Sequence, residues 1–263
     1  MRKGFWLVGA TVVALGSVAC DGSSEWGAGN PPGGGPHTGG PMQDVPDATP
    51  GLDSGADPNV ITGQICRVDN ITLPGACTPQ RTAGLKITVE KTTGEMITST
   101  TTDSSGKWQV AKPALDRVAF VVSDSQSSFH KSAQILILVG QGAVDTQIPV
   151  ITEAYFTAIV TSTLVTPATD TGMVVTHLRK VDAGYSGVTL GPLRGVTAYY
   201  DVAGDPNMLT PVGPTTGLGI GVWFNVLPAP SATYQVTKAS DNLSVARDAY
   251  AFPDAITFLD EQF

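Results

Sequence analysis

Histidine and cysteine are scarce in this chain, with three of each among 263 residues. His37 stands in a Gly/Pro-rich stretch, which leaves His130 and His177 as the imidazoles available for chemistry. A Ser-His-Asp triad needs a nucleophile, a base and an orienting acid that converge in space. The serines beside His130 in "SSFHKSA" are composition rather than geometry, and a G-x-S-x-G elbow is missing. Basic residues are also few: Lys and Arg total 15 against 23 Asp and Glu. Past the N-terminal Arg2-Lys3, Arg179-Lys180 is the single basic pair, as a solvated strand edge would carry. Nucleic-acid binding rests on basic stripes, so this balance excludes nucleic acid as a partner. The expectation is a chain with no enzymatic activity, no cofactor and no resident metal.

Met1-Arg2-Lys3 is followed by an uncharged stretch from Gly4 to Ala19. Two cations, a short apolar run and small residues describe a secretory signal peptide over residues 1–19. Its apolar run of about 15 residues is shorter than the roughly 20 that a membrane-crossing helix needs. Val18-Ala19-Cys20 resembles the bacterial lipobox, with Ser17 where Leu is usual. The resemblance implies cleavage before Cys20 and acylation of its thiol and new amine. Two or more acyl chains anchor stably, at about 0.8 kcal/mol per buried CH₂. The lipid bilayer is then one partner, at the membrane of a bacterial envelope. The outer membrane is favoured over the inner, although Asp21 resembles an inner-membrane retention signal in one bacterial group. Without the leader, 13 basic side chains face 23 acidic ones, a net of −10.

Residues 20–58, with "GAGNPPGGGPHTGGP" and "DATPGLDSGADP", offer almost nothing to bury and are expected to stay disordered. Such a coil reaches roughly 35 Å, which lets folded modules stand clear of the membrane. Cys66 and Cys77 are an even pair in an exported chain, where disulfides persist. Two Cys without neighbouring His make a poor zinc site.

From Asn59 onward, short Val/Ile/Thr-rich runs are closed by Gly, Pro, Asp or Asn. Leu85, Ile87 and Val89 alternate with Lys86, Thr88 and Glu90, the period of a half-buried strand. Asp103-Ser104-Ser105-Gly106 makes a turn before the strand that carries Trp108, and "VAFVVSD" (118–124) is apolar enough for a packed sandwich. The punctuation returns over residues 195–228, with Gly195 matching Gly84, Thr215 matching Thr102 and Trp223 matching Trp108. "ITGQICRV" (61–68) matches "GMVVTHLRKV" (172–181). The pattern predicts an all-β chain of two tandem Ig-like or prealbumin-like sandwiches, at 59–151 and 152–263. Thr152-Glu153 opens a stretch (152–164) expected as a short helix, despite its β-branched residues. Ile135–Val139 is expected as a buried strand, and "AFPDAITFLDEQF" as a last strand with an acidic tail.

Ala83-Gly84-Leu85, Thr102-Asp103 with Gly106, and Trp108 resemble the carboxypeptidase regulatory-like domain, a transthyretin-like sandwich. The resemblance covers residues 59–125 well and 172–238 loosely, since Asp103 has no counterpart beside Thr215-Thr216-Gly217. It implies a non-catalytic accessory role and names no ligand.

Three residue groups deserve a chemical reading beside a bland one. Trp108, Trp223 and Asp103 would face a ligand if exposed. The matching positions of the two indoles point to packing, and the turn accounts for Asp103 without Ca²⁺, which takes six to eight oxygens. A related sandwich holds iron with Tyr and His, but the neighbours Tyr199 and Tyr200 on one strand would face opposite ways. The sequence therefore reads as a membrane-anchored, non-catalytic binding or spacer module for an envelope protein or polysaccharide. The rivals are a small envelope hydrolase or metal-dependent enzyme, and a pure spacer without ligand. An open strand edge or an exposed aromatic platform would discriminate among them.

Overall fold

The computed structural model describes residues 57–71, 82–138, 144–180, 183–203 and 205–263. The leader, Cys20, the tether up to residue 56, and Cys77 lie outside the described residues. In chain order the first half carries β1 (Val60–Arg67), β2 (Lys86–Glu90), β3 (Met96–Thr101), β4 (Lys107–Ala111), β5 (Arg117–Ser123), β6 (Ser132–Ile137) and β7 (Val144–Val150). A helix, α1 (Glu153–Ser162), follows. The second half carries β8 (Gly172–Lys180), β9 (Ala183–Gly184), β10 (Thr189–Leu190), β11 (Tyr199–Val202), β12 (Asp205–Thr210), β13 (Ile220–Val226), β14 (Ala229–Lys238), β15 (Leu243–Ala251) and β16 (Ile256–Gln262).

The expected alternation is realised on β2, where Ile87 and Val89 are fully buried and Lys86 points outward. They belong to a core between the strands β3-β2-β5-β6 and the small sheet β4-β1-β7. β5 is buried on both faces. Val118, Phe120 and Val122 enter that core, whereas Ala119 and Val121 meet Tyr250 and Phe252 from the second half. In the second half the strands β12-β11-β13-β8-β16 pack against β10-β14-β15 around Trp223 and Tyr234. The other face of β8 and β13 is covered by Ile159 and Val160 of α1. Thr152 caps that helix, its hydroxyl accepting from the Tyr155 N–H at 3.2 Å, which offsets the cost of the β-branched residues within it. Among the described residues no helix is long and apolar enough to cross a membrane.

The two halves repeat one wiring. β1 pairs antiparallel with β4 and parallel with β7, as β8 pairs antiparallel with β13 and parallel with β16. β5–β6 corresponds to β14–β15, both antiparallel. The counterpart of Gly84 is Gly187, however, rather than Gly195. Both take φ near 74°, which only glycine adopts freely. Gly84 N–H donates to the Thr102 carbonyl as Gly187 N–H does to that of Thr215. After Gly187 the second half keeps only β10 beside β14, then crosses at residues 191–198 to place β11 against β13 in the opposite sheet.

Two further differences concern the chain's strands near the seam. β6 starts earlier than expected and ends at Ile137, which is 55% exposed rather than buried. The "acidic tail" is no tail: Asp260 and Glu261 lie within β16, held by Arg179 and Arg247. β16 pairs with β8 over its whole length and with β6 through Ile256–Phe258, so one ten-stranded sheet runs through both halves.

Candidate functional site

His130 and His177 each have one carboxylate. The His130 Nδ1 lies 2.8 Å from Glu153 Oε2, and its ring stacks on Phe156 at 3.7 Å. The cavity beside it holds only about 90 Å³, lined by Phe156, Met173, Phe224 and Asn225, well under the few hundred Å³ of a usual ligand pocket. His177 Nδ1 stands 3.8 Å from Asp260 Oδ1. Burial pushes this imidazole's pKa down, and Asp260 opposes that only in part. Asp260 is itself gripped by Arg179, whose Nε is 2.7 Å away. Among the described residues no group of three metal-ligating side chains comes together.

Tyr199 and Tyr200 face opposite sides of β11. Tyr199 packs edge-on against Phe224, while the Tyr200 hydroxyl bonds to the backbone of Leu190. They cannot share a metal. Trp108 and Trp223 are buried, at 4% and 0% exposure, so neither forms an exposed stacking platform, although Trp108 lines the groove that Asp103 also borders. Each packs on an aromatic side chain from the strand that follows, Phe120 at 5.0 Å and Tyr234 at 4.8 Å. Large aromatic area favours the core here over a binding platform.

Asp103 is exposed but occupied by its own turn. Its Oδ1 accepts from Ser105 N and Oγ at 2.8 Å and from Lys107 N at 2.9 Å. The Ser105 hydroxyl, then the Lys107 and Ser105 amides, hold its carboxyl below the ordinary range. It borders a polar groove of about 600 Å³ with Thr62, Gln64, Lys107 and Asp145 on the outer face of β4-β1-β7.

The second half has a carboxylate for the same task that the local sequence does not reveal. Asp201, 1% exposed on β11, accepts from Thr216 N and Oγ1 and from Ile220 N. The one signal in the sequence was a negative one. Thr216 lacks a neighbouring Asp, and buried donors must be paired somewhere.

What remains open on this surface is strand edge. β3 and β12 end the ten-stranded sheet, each paired on one side only. Met96 and Ile97 on β3 and Met208 on β12 are exposed. β12 opens with Asp205-Pro206, whereas Met96–Thr101 holds neither a charge nor a proline, the usual guards of an edge.

No family model matches the chain, and no curated protein matches it. Among solved structures it is similar to the Bacillus anthracis TIE protein, at 13% identity and a TM-score of 0.26, over 78% of this chain and 34% of that one. It is similar to GBS52, the minor pilin of Streptococcus agalactiae, at 10% identity and a TM-score of 0.26, over 78% and 94%. A fimbrial protein from Bacteroides ovatus shows 9% identity and a TM-score of 0.23, over 78% and 49%. The chain thus spans about a third of the length of the TIE protein. TM-scores this low assign neither family nor activity.

Proposed function

We propose that this chain is an envelope lipoprotein, cut before Cys20 and acylated there, whose paired sandwiches bind a protein partner without catalysis. The leader and lipobox-like residues support the anchor, and the Gly/Pro tether supports a module held clear of the bilayer, on the outer membrane. The resemblance of residues 59–125 to the carboxypeptidase regulatory-like domain supports an accessory role. Cys66 and Cys77 form a disulfide in this reading. Cys66 is buried, which suits a structural bridge, and closing a loop of about 12 residues would stabilise by roughly 3 kcal/mol in the chain-entropy model.

The observation that carries the binding role is the unguarded β3 edge, with Met96 and Ile97 exposed beside unpaired ladder groups. The exposed large apolar side chains among the described residues are aliphatic, which suits a protein edge better than a stacked sugar ring. The test is retention of envelope proteins by the full chain in detergent, against Ile97→Asp, with a glycan array alongside. We expect one protein retained by the wild type and lost with Ile97→Asp. If neither form retains a partner, the spacer reading replaces this one.

A further inference from the structure

The seam between the halves is a forked sheet. β6 and β16 run parallel and pair only through Ser132–Gln134 and Ile256–Phe258. Beyond that point both strands continue. Ile135–Ile137 stays with β5, and Leu259–Gln262 stays with β8, so each keeps one ladder and turns its other edge toward the gap. Among the described residues no backbone hydrogen bond crosses that gap. At its apex, Gln134 Oε1 is buried without a hydrogen-bond partner among the described residues. Burial fades outward from Phe258 to the exposed Asp260, and at the mouth Ile137 is exposed.

A cavity lies on each face of the fork, and both include Gln134, Phe258, Leu259 and Asp260. The one toward β7 and β8 holds about 400 Å³ and is floored by Pro149, Val175 and His177. The one toward β15 holds about 440 Å³ and is walled by Ile135, Ile137 and Tyr250. The alternation of the strands places them on opposite faces. Val175 and Phe258 look toward α1 and Ile151, while Leu259 and Ile135 look toward β15.

We infer that this fork accepts an extended, uncharged, alternately apolar segment of a partner polypeptide, inserted between β6 and β16. Only a polypeptide backbone offers donors and acceptors along both of its edges, and an inserted strand would lie about 4.8 Å from each flanking strand. Because β6 and β16 are parallel, one inserted strand has the same orientation toward both. Its successive side chains point to opposite faces, and a cavity waits on each. A backbone or side-chain N–H at the apex would satisfy Gln134. The charges around the fork pair among themselves, Arg179 with Asp260, Arg247 with Glu261 and Arg117 with Asp248. A charged insert would therefore find no free counter-ion, which selects a neutral one.

This rests on the protein-binding reading and adds to the open β3 edge a second place, at the seam, where a partner's chain is held. The test uses the full chain in detergent and a synthetic peptide of alternating valine and threonine with terminal lysines. Binding is read by fluorescence anisotropy and mapped by hydrogen exchange. The expected result is saturable binding, slowed exchange at Ile135–Ile137 and Leu259–Glu261, and about tenfold or greater weakening with Ile137→Asp. Circular dichroism checks that this surface variant remains folded. Protection at Met96–Thr101, lost with Ile97→Asp and untouched by Ile137→Asp, overturns the fork and leaves the binding reading intact. No binding of the peptide overturns the fork alone, since the binding reading stands or falls on retention of an envelope protein.

Discussion

The two halves solve the same folding problem with different residues. Each has a buried threonine that accepts one backbone N–H and donates to the backbone carbonyl three residues before that N–H. Thr102 Oγ1 accepts from Leu85 N at 2.9 Å and donates to Thr82 O at 2.5 Å, and Thr215 Oγ1 accepts from Val188 N at 3.1 Å and donates to Tyr185 O at 2.7 Å. Each packs a tryptophan on an aromatic neighbour. They part at the turn before that tryptophan, where the first half uses its own exposed Asp103 and the second reaches across to buried Asp201. A turn tied by its own residue forms from local chain alone, whereas the second turn depends on β11 having crossed sheets.

The broadest break in the comparison is loss of either indole. Trp108→Ala and Trp223→Ala should each destabilise by about 3–5 kcal/mol in urea unfolding, because both empty a closed core. A large inequality would mean the halves do not share one packing plan. Next is the carboxylate contrast. Asp201→Ala strands several buried donors and should cost about 3 kcal/mol. Asp103→Ala should cost clearly less, because water replaces its partners. The Asp103 carboxyl is held low in the folded chain, so its contribution is present above the ordinary Asp range and fades as pH falls through the depressed value. The wild type should therefore lose its margin over Asp103→Ala on acidification. The smallest and most diagnostic test is Thr102→Val beside Thr215→Val. Each leaves one donor and one acceptor buried, and both should cost about 1–3 kcal/mol, nearly equally.

Much of this was legible from residue pattern. Alternation at Leu85, Ile87 and Val89 marked β2, Thr152 marked the start of α1, and the spacing from Thr102 to Trp108 and from Thr215 to Trp223 marked a repeat. Three things were not. Gly195 was paired with Gly84 because it opens an alternating run, yet hydrogen bonds to Thr215 single out Gly187, and those bonds join residues far apart in sequence. Asp201 is not legible locally because its partners, Thr216 and Ile220, lie 15 and 19 residues on, at the approach to and start of β13. Asp260 and Glu261 looked like a solvated tail because their arginines, Arg179 and Arg247, belong to β8 and β15.

Sequence alone determined that the chain builds sheets, where β2, β4 and β5 run, and which tryptophans anchor the two halves. These follow from local sterics, turn chemistry and the two-residue period of a strand. Only tertiary structure decided that the final strand joins both halves and leaves the ladder between β6 and β16 unfinished. Strand partners are chosen by packing between distant segments, and no short stretch of residues encodes that choice by itself.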